Sequence, residues 1–418
     1  VEIADPEGYK AMTARIDRAV DKNPVTGKSL QVLGTSVLVN IINAHGMFPT
    51  ENFRRGVFND AEGTSGEKIA ETLLQRQSAC YKCPIGCGRT MISEALREKG
   101  IATAAFHSNP YLSAFFGWDR GWDTFYDSME DDVDDYSPYI RGGAINAKVD
   151  AWLASHAKGG GGRPFFLWVH YMDVHEPYVP DRRHIDAVDP SIRLERDEML
   201  KLFTDVVLPR DVSSPETVRL LHSLYLAHVR EVDEHARELF GILGKHGLLP
   251  ETSVIVTTDH GDEFGEHGGL SHDGKMYAEL VHVPQIVVNP PEGRGTVNGA
   301  LVSGLDIPPT VMALLGFTPH PGFQGRPLFP LAAYPEACLF GEAVGKLSHK
   351  IKETDRPAYY CRQGDLKITY REEDERWALY DLATDPEERH DIIDSSPKAG
   401  EMKEKLRPRI GRAPRWKE

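Results

Sequence analysis

A β-strand is predicted at Phe165-Phe166-Leu167-Trp168-Val169, where five apolar residues follow one another without a charge. Such a run is typical of a strand buried on both faces of a sheet. Val254-Ile255-Val256 and the segment from Ala102 to Phe106 are two more apolar runs. Because helical patterns separate these strands, the chain is predicted to form an α/β fold with a mostly parallel sheet flanked by helices.

The clearest helix signal lies between two of these strands. Ser214-Pro215-Glu216 is a helix start, and the apolar periodicity continues to about Lys245, with Gly247 just beyond its end. One stripe of this helix is predicted to be buried. Its members are Val218, Leu221, Leu224, Val229, Val232, Ala236 and Leu243.

Composition argues against two classes of partner. The 418 residues include 48 Lys and Arg against 63 Asp and Glu, a net charge of −15. A chain this acidic is not expected to bind nucleic acid or anionic membrane through a general basic surface. No apolar run approaches the roughly 18–20 residues that span a bilayer. With no visible signal peptide, we expect a cytoplasmic location.

Charge and cysteine content divide the chain unevenly. Residues 1–90 carry 11 basic and 10 acidic side chains, whereas residues 91–418 carry 37 and 53. The first segment is predicted to be mainly helical. It contains Cys80, Cys83 and Cys87, a C-x2-C-x3-C arrangement whose thiolates can converge on an iron–sulfur cluster or a zinc ion. A cluster of thiols without metal is the alternative.

Asp259, His260 and Gly261 follow the predicted strand at Val254-Ile255-Val256. In open α/β sheets, ligands bind at the carboxyl ends of strands. A carboxylate beside an imidazole suits a divalent cation that polarises an ester oxygen, and Gly261 would allow a sharp exit from the strand. A charged surface loop is the alternative interpretation.

Two further side chains are candidates for anion chemistry. His175 follows the strand at Phe165–Val169 and is interpreted as a proton donor or anion ligand, or else as a core histidine. Lys275 would place an ammonium group beside a tetrahedral anion, although most lysines are simply exposed.

These segments together resemble the sulfatase family of the alkaline phosphatase superfamily, over about residues 91–395. The resemblance is carried by the metal-motif segment Val256–His267, the segment Lys275–Pro284, and four shorter stretches. These are Asp173–Tyr178, Asp306–Thr310, Phe323–Leu328, and Leu379–Leu382 with Asp385-Pro386.

The resemblance implies an alkaline phosphatase-like body and a small C-terminal sheet. It also implies that Asp259 and His260 bind a divalent metal, calcium in sulfatases or manganese and zinc in phosphate-cleaving relatives. His175 would contact the ester oxygens or protonate the leaving group, and Lys275 would bind the sulfate. A small-molecule sulfate or phosphate ester is therefore the expected substrate.

The chain departs from the family pattern at its nucleophile. Sulfatases carry a Cys/Ser-x-Pro-x-Arg motif, preceded by a strand that ends in paired aspartates. The motif does not occur in this sequence, since in Cys83-Pro84 the intervening residue is missing, and no apolar strand before Met91 ends in paired aspartates. With no nucleophile to assign, the covalent route is closed. We therefore predict that the chain alone hydrolyses sulfate esters poorly or not at all.

Residues 1–90 resemble an internal part of the tungsten-pterin aldehyde ferredoxin oxidoreductase family. The matching text includes Asn23–Gly27, Leu33–Asn40, Phe48–Phe53 and Ala79–Arg89. The resemblance implies that Cys80, Cys83 and Cys87 bind a [4Fe–4S] cluster.

The two resemblances meet at Thr90–Met91, which indicates a fusion of two gene segments. The predicted domains are an oxidoreductase-like fragment at 1–90, an incomplete sulfatase-like body at 91–330, and a C-terminal subdomain with a tail at 331–418. The leading hypothesis is an impaired sulfatase-like hydrolase. The alternatives are a fragment of an iron–sulfur aldehyde oxidoreductase and a non-catalytic anion-binding module.

Overall fold

The computed structural model describes seven stretches of the chain: residues 90–109, 112–114, 117–159, 163–272, 274–331, 338–344 and 357–411. Residues 1–89 of the predicted helical segment 1–90, with Cys80, Cys83 and Cys87, lie outside them. The described residues divide into two compact units. The first extends to Thr252 and includes Gly268–Ser271, while the second contains Ser253–His267 and continues from His272.

The first unit contains a parallel sheet with helices packed on it. Its elements are α1 (Ile92–Glu98), β1 (Ala102–His107), β2 (Thr124–Tyr126), α2 (Gly142–Gly159), β3 (Phe165–His170), α3 (Arg182–Val188), α4 (Arg196–Leu202), α5 (Pro215–Lys245) and β6 (Leu270–Ser271). The sheet order is β2-β1-β3, and both pairings are parallel. All six residues of the central strand β1 are buried. The predicted α/β architecture with a parallel sheet is confirmed.

Strand β3 is less buried than the apolar run predicts. All six of its residues are half-buried, because among the described residues this strand pairs on one side, with β1. Part of its apolar surface is covered by Trp122, whose ring stacks on Phe166 and Trp168 at centroid distances of 5.6 and 6.2 Å. Predicted burial on both faces is therefore wrong, since an apolar run does not reveal whether a strand has two neighbours.

Helix α5 begins and ends where the sequence predicts. The Ser214 side chain accepts a hydrogen bond from the Thr217 backbone N–H, and Pro215 occupies the first turn, where its missing N–H costs nothing. Val218, Leu221 and Leu224 are buried as predicted. The predicted stripe member Val229 is 38% exposed, so the assignment of this residue is wrong.

Polar residues also lie on the buried face of α5. His228 and Glu231 are almost fully buried within the first unit. Burial opposes the ionisation of Glu231, but the close His228 imidazole and the positive charge of Arg141 outweigh it and lower the pKa of Glu231 to about 2. The apolar periodicity predicts the helix face correctly but not the charged residues on it.

The second unit begins with an antiparallel pair of strands. Its first elements are β4 (Val254–Thr257), β5 (Glu263–Phe264), α6 (Ala278–Val281), β7 (Gln285–Val288) and α7 (Ile307–Leu314). Strands β4 and β7 pair in antiparallel register, with Val256 opposite Ile286. Val254 and Ile255 are half-buried and Val256 is 36% exposed, so the prediction that this strand is buried is wrong.

A small antiparallel sheet forms the C-terminal part of the second unit. Its elements are β8 (Leu339–Val344), β9 (Pro357–Gln363), β10 (Leu366–Arg371), β11 (Arg376–Asp381) and α8 (Ala399–Leu406). The strand order is β11-β10-β9-β8, and every pairing is antiparallel. A cluster of buried side chains joins the sheet to α8: Tyr359, Cys361, Ile368, Leu379, Met402 and Leu406. The predicted small C-terminal sheet is confirmed.

Candidate functional site

Asp259 and His260 lie just beyond the end of β4, where the pleat of the strand no longer separates neighbouring side chains. His260 Nε2 lies 3.7 Å from Asp259 Oδ2. His260 Nδ1 lies 2.9 Å from the Gly261 carbonyl oxygen, which is an acceptor, so Nδ1 carries the proton and the lone pair is on Nε2. The lone pair is therefore on the ring nitrogen that faces the Asp259 carboxylate, as a metal-binding histidine requires.

Gly261 is required because the chain passes very close to α6. A Cβ atom at this position would lie 2.1 Å from the Glu279 carbonyl oxygen. The Gly261 N–H donates to the Leu280 carbonyl at 3.1 Å. Gly261 does not have a positive φ angle, so a left-handed backbone is not the reason for a glycine here. The reason is the lack of room for a side chain.

Asp262 and His272 extend the donor set around His260. His272 Nδ1 lies 2.9 Å from Asp262 Oδ1, so Nδ1 donates and the lone pair is on Nε2. The rings of His260 and His272 lie 4.3 Å apart between centroids. One ligand-type atom from each of His260, Asp262 and His272 lies within 4.8 Å of the others. Sequence reasoning did not assign Asp262 and His272, although Asp262 stands in the quoted segment Val256–His267.

Lys275 belongs to the same unit and is held by two groups of the β5 region. Its Nζ donates to Glu263 Oε2 at 2.7 Å and to the His267 carbonyl oxygen at 3.1 Å. The Glu263 side chain is 2% exposed, whereas that of Lys275 is 26% exposed. The ammonium group is therefore held by two protein oxygens, and part of the Lys275 side chain is still exposed to solvent.

His267 connects this region to α6 and to the C-terminal segment. Its Nδ1 lies 2.6 Å from Glu279 Oε1, and its ring stacks on Tyr277 at 3.6 Å between centroids. Burial raises the pKa of Glu279, as does the nearby Glu263 carboxylate, and the contact with His267 opposes this rise. Its Nε2 lies 3.3 Å from the Glu388 carbonyl oxygen, so the imidazole contacts both α6 and the C-terminal segment.

The C-terminal segment supports the same region through Glu388. This side chain is fully buried and accepts hydrogen bonds from Lys367 Nζ and from the Ala278 backbone N–H, at the start of α6. Both Glu388 carboxylate oxygens lie within 2.9 Å of Lys367 Nζ. One buried ion pair thus joins β10 to the helix that packs on Gly261.

His175 lies in the first unit, in the loop after β3. Its Nδ1 lies 2.9 Å from the Glu176 carbonyl oxygen and 3.4 Å from the Tyr139 hydroxyl, and its ring meets that of Tyr139 edge-on. A proton on Nδ1 leaves the lone pair on Nε2. Glu176 also accepts a hydrogen bond from Ser271 at 2.8 Å. The roles of His175, Asp259, His260 and Lys275 stay predictions.

Three family models match the chain, and the matched ranges overlap. The model named Sulfatase matches residues 69–317. That range is more than half of the 418 residues. The chain belongs to the sulfatase family. The C-terminal model of N-sulphoglucosamine sulphohydrolase matches residues 265–414, and domains 2 and 3 of aldehyde ferredoxin oxidoreductase match residues 11–113. Both predicted resemblances are thus confirmed. The predicted junction at Thr90–Met91 falls where two models overlap, and it stays a prediction.

Characterised relatives divide in the same way. A choline-sulfatase of Rhizobium meliloti is 27% identical over 54% of this chain and 45% of its own length. An N-acetylglucosamine-6-O-sulfatase of Bacteroides thetaiotaomicron is 29% identical over 43% of this chain and 33% of its own. A tungsten-containing aldehyde ferredoxin oxidoreductase of Pyrococcus horikoshii is 47% identical over 98 residues, which are 23% of this chain and 16% of its own. The sulfatase-family chain therefore spans less than half the length of these relatives.

Solved structures confirm the fold of the sulfatase-family chain. The phosphonate monoester hydrolase of Agrobacterium radiobacter superimposes with a TM-score of 0.59 at 18% identity, covering 77% of this chain and 79% of its own. A 2-O GAG sulfatase superimposes with a TM-score of 0.57 at 16% identity, covering 78% and 75%. None of the described helices is long and apolar enough to span a membrane.

Proposed function

We propose that this sulfatase-family chain binds a divalent metal ion and a sulfate or phosphate ester, and that its own hydrolytic turnover is slow or absent. The observation that carries the proposal is the Asp259–His260 pair, whose Oδ2 and Nε2 atoms lie 3.7 Å apart with the imidazole proton held on the other ring nitrogen. Neighbouring donors around a cation with bond lengths of about 2.0–2.6 Å are separated by a similar distance.

The residues of the second unit fit a divalent cation in chemistry as well as in spacing. Asp259 offers carboxylate oxygens and His260 an imidazole nitrogen, with Asp262 and His272 close to His260. Mixed oxygen and nitrogen donors favour manganese or zinc over calcium, which prefers oxygen alone. A bound cation would supply Lewis-acid polarisation of an ester oxygen. The Gly261 carbonyl accepts the His260 Nδ1 proton and so orients the ring.

Lys275 supplies positive charge to the proposed site of the second unit, and the role of His175, in the first unit, is a separate part of the proposal. Lys275 would face the ester oxyanions, because its Nζ is fixed by Glu263 and by the His267 carbonyl oxygen while its side chain stays part-exposed. His175 is proposed to contact an ester oxygen or to protonate the leaving group, with Nδ1 held by the Glu176 carbonyl oxygen. A proton can then be exchanged at Nε2.

Slow turnover is expected because the sequence lacks the nucleophile motif. No Cys/Ser-x-Pro-x-Arg segment occurs in the 418 residues. Without an activated nucleophile the covalent intermediate cannot form, and water would have to attack the ester directly. Binding without rapid hydrolysis is therefore the expected behaviour of this chain, which makes it an ester-binding protein first and a hydrolase second.

Metal binding and turnover test this proposal together. Titration calorimetry with Mn²⁺, Zn²⁺ and Ca²⁺ should detect an ion that binds at least about tenfold more weakly to Asp259→Ala, because a direct ligand has been removed. Asp394→Ala, an exposed change in the same unit, is the matched control and should bind as the unmodified chain does. Incubation with an aryl sulfate should release no more phenol than the buffer control.

Two results would contradict parts of the proposal separately. If the unmodified chain and Asp259→Ala bound the metal with equal affinity, the proposed metal site at Asp259 and His260 would be wrong. Clear turnover of the aryl sulfate that Asp259→Ala abolishes would show that the chain is an active hydrolase and that slow turnover is wrong.

An iron–sulfur cluster is a second proposal, for the N-terminal part of the chain. The 47% identity to the oxidoreductase over 98 residues favours it, and Cys80, Cys83 and Cys87 have the spacing of cluster ligands. The chain purified without oxygen should contain iron and acid-labile sulfide, with broad visible absorbance. Cys83→Ser should lose most of the iron, while Cys361→Ser should retain it. Zinc in place of iron would contradict this proposal.

A further inference from the structure

A second group of metal-ligating side chains lies in the first unit, apart from Asp259 and His260. Glu231 and His235 are four residues apart on α5 and so share one helix face. Asp173 lies three residues beyond the end of β3, at the carboxyl edge of the parallel sheet. One ligand-type atom from each of the three lies within 4.8 Å of the others.

The spacing and burial of this group are those of a protein metal site. His235 Nε2 lies 3.5 Å from Asp173 Oδ1. Ligands at about 2.0–2.2 Å from a tetrahedral ion are separated by roughly 3.3–3.6 Å. The Asp173, Glu231 and His235 side chains are 0%, 6% and 14% exposed. Small movements of Glu231 would bring all three donors onto one ion.

A buried oxygen without a hydrogen bond points to a missing ligand. Within the part of the chain that the structure describes, Glu231 Oε2 and His235 Nε2 are both buried and have no hydrogen-bond partner. His228 Nδ1 lies 3.3 Å from Glu231 Oε2. These two atoms do not form a hydrogen bond, but they are close enough for electrostatic attraction. A buried carboxylate oxygen left without a hydrogen bond is costly, and an ion would satisfy it.

Neighbouring groups hold the three side chains in place. The Gly142 N–H donates to both Asp173 oxygens, at 3.0 and 3.1 Å, at the start of α2. A Cβ at Gly142 would lie 2.6 Å from His235 Cδ2, so a glycine is needed for His235 to come this close. His228 Nε2 accepts the Val179 N–H at 2.9 Å, which places its proton on Nδ1. Such support is typical around metal ligands.

The charges leave room for a cation. Two carboxylates face each other here, and Arg141 supplies one positive charge, with its Nη1 3.9 Å from Glu231 Oε1. We propose that Asp173, Glu231 and His235 form a second metal site, which takes a first-row transition-metal dication such as Zn²⁺. One nitrogen and two carboxylate oxygens suit that class of ion, with water as a fourth ligand.

Metal stoichiometry in a variant that lacks the first site tests this inference. In the double variant Asp259→Ala/His260→Ala, with Cys80, Cys83 and Cys87 alkylated so that they bind no metal, titration with Zn²⁺ should still show one bound equivalent. Co²⁺ should give the intense visible absorption of a four-coordinate ion. Adding His235→Ala should weaken binding at least tenfold and remove the absorption. Glu231→Gln should also weaken Zn²⁺ binding and remove the absorption. If Glu231→Gln does not fold, His235→Ala still tests the site, because His235 is more exposed than Glu231.

His246→Ala is the matched control, because His246 stands at the end of the same helix and pairs with Asp150 at 2.7 Å. This variant should keep the bound equivalent and the Co²⁺ spectrum. Absence of any bound Zn²⁺ in the double variant, or binding that His235→Ala leaves unchanged, would show that the cluster is an ion-pair network with Arg141 and overturn the inference. The titration uses a variant without Asp259 and His260, so its result does not depend on whether those two residues bind metal. Either proposal can therefore be wrong while the other holds.

Discussion

Replacing Glu388 with Gln is expected to lower the free energy of unfolding by about 3–5 kcal/mol. The side chains of Glu388 and Lys367 are 0% and 3% exposed, and their charged atoms lie 2.7 Å apart. Burial lowers the pKa of Lys367, and the Glu388 carboxylate opposes that change. Without the carboxylate, the protein must either bury an unpaired ammonium group or release its proton. Urea denaturation followed by circular dichroism measures the loss.

Two comparisons separate the buried pair from a general effect of charge. Glu401→Gln removes an exposed carboxylate that pairs with Lys398 and Lys405, and it should leave the free energy of unfolding almost unchanged because solvent screens the pair. The double variant Lys367→Met/Glu388→Leu should recover much of the stability, because apolar side chains of similar size can replace a buried ion pair. A loss below 1 kcal/mol for Glu388→Gln would show that Lys367 finds another partner or is hydrated.

Gly261→Ala is expected to damage both stability and metal binding. The added Cβ would lie 2.1 Å from the Glu279 carbonyl oxygen, so the chain or α6 must move. Overpacking of this kind costs about 1–3 kcal/mol. Because the Gly261 carbonyl holds the His260 ring, the movement should also weaken metal binding about 10- to 100-fold. Urea denaturation and metal titration calorimetry measure the two effects.

Gly299→Ala is the matched control, since a Cβ at this position has nothing within 4 Å. Its stability should stay within about 0.5 kcal/mol of the unmodified chain, and its metal affinity should be unchanged. If Gly261→Ala bound metal as tightly as Gly299→Ala, the position of the His260 ring would not depend on the Gly261 carbonyl.

Local patterns predicted several elements well. Helix α5 follows from Ser214, Pro215 and Gly247, because capping groups and breakers act through neighbouring backbone atoms. The small C-terminal sheet follows from the family resemblance at Leu379–Leu382. The sequence does not reveal how many neighbours a strand has in the sheet, and for this reason the partial exposure of β3 was not predicted. Val229 was missed for the same reason, since the width of a buried stripe depends on what packs against the helix.

Motif and spacing were enough to select Asp259, His260, Lys275 and His175 as candidates. They could not show that His260 keeps its proton on Nδ1 or that Lys275 is held by Glu263, because each depends on an acceptor placed by the fold. Asp262 and His272 are ten residues apart, and their meeting requires the turn between β5 and α6. Such contacts arise from chain geometry that residue types alone do not specify.

The amino-acid sequence by itself determined the family, the α/β class and the candidate metal pair, because these depend on residue order and local periodicity. It also determined the contrast between the cysteine-rich first segment and the acidic remainder. The tertiary structure alone decided the group formed by Asp173, Glu231 and His235, whose members are up to 62 residues apart. It likewise decided the burial of the Lys367–Glu388 pair. Electrostatic interactions act through space, so distant charges influence one another only after packing has excluded water between them.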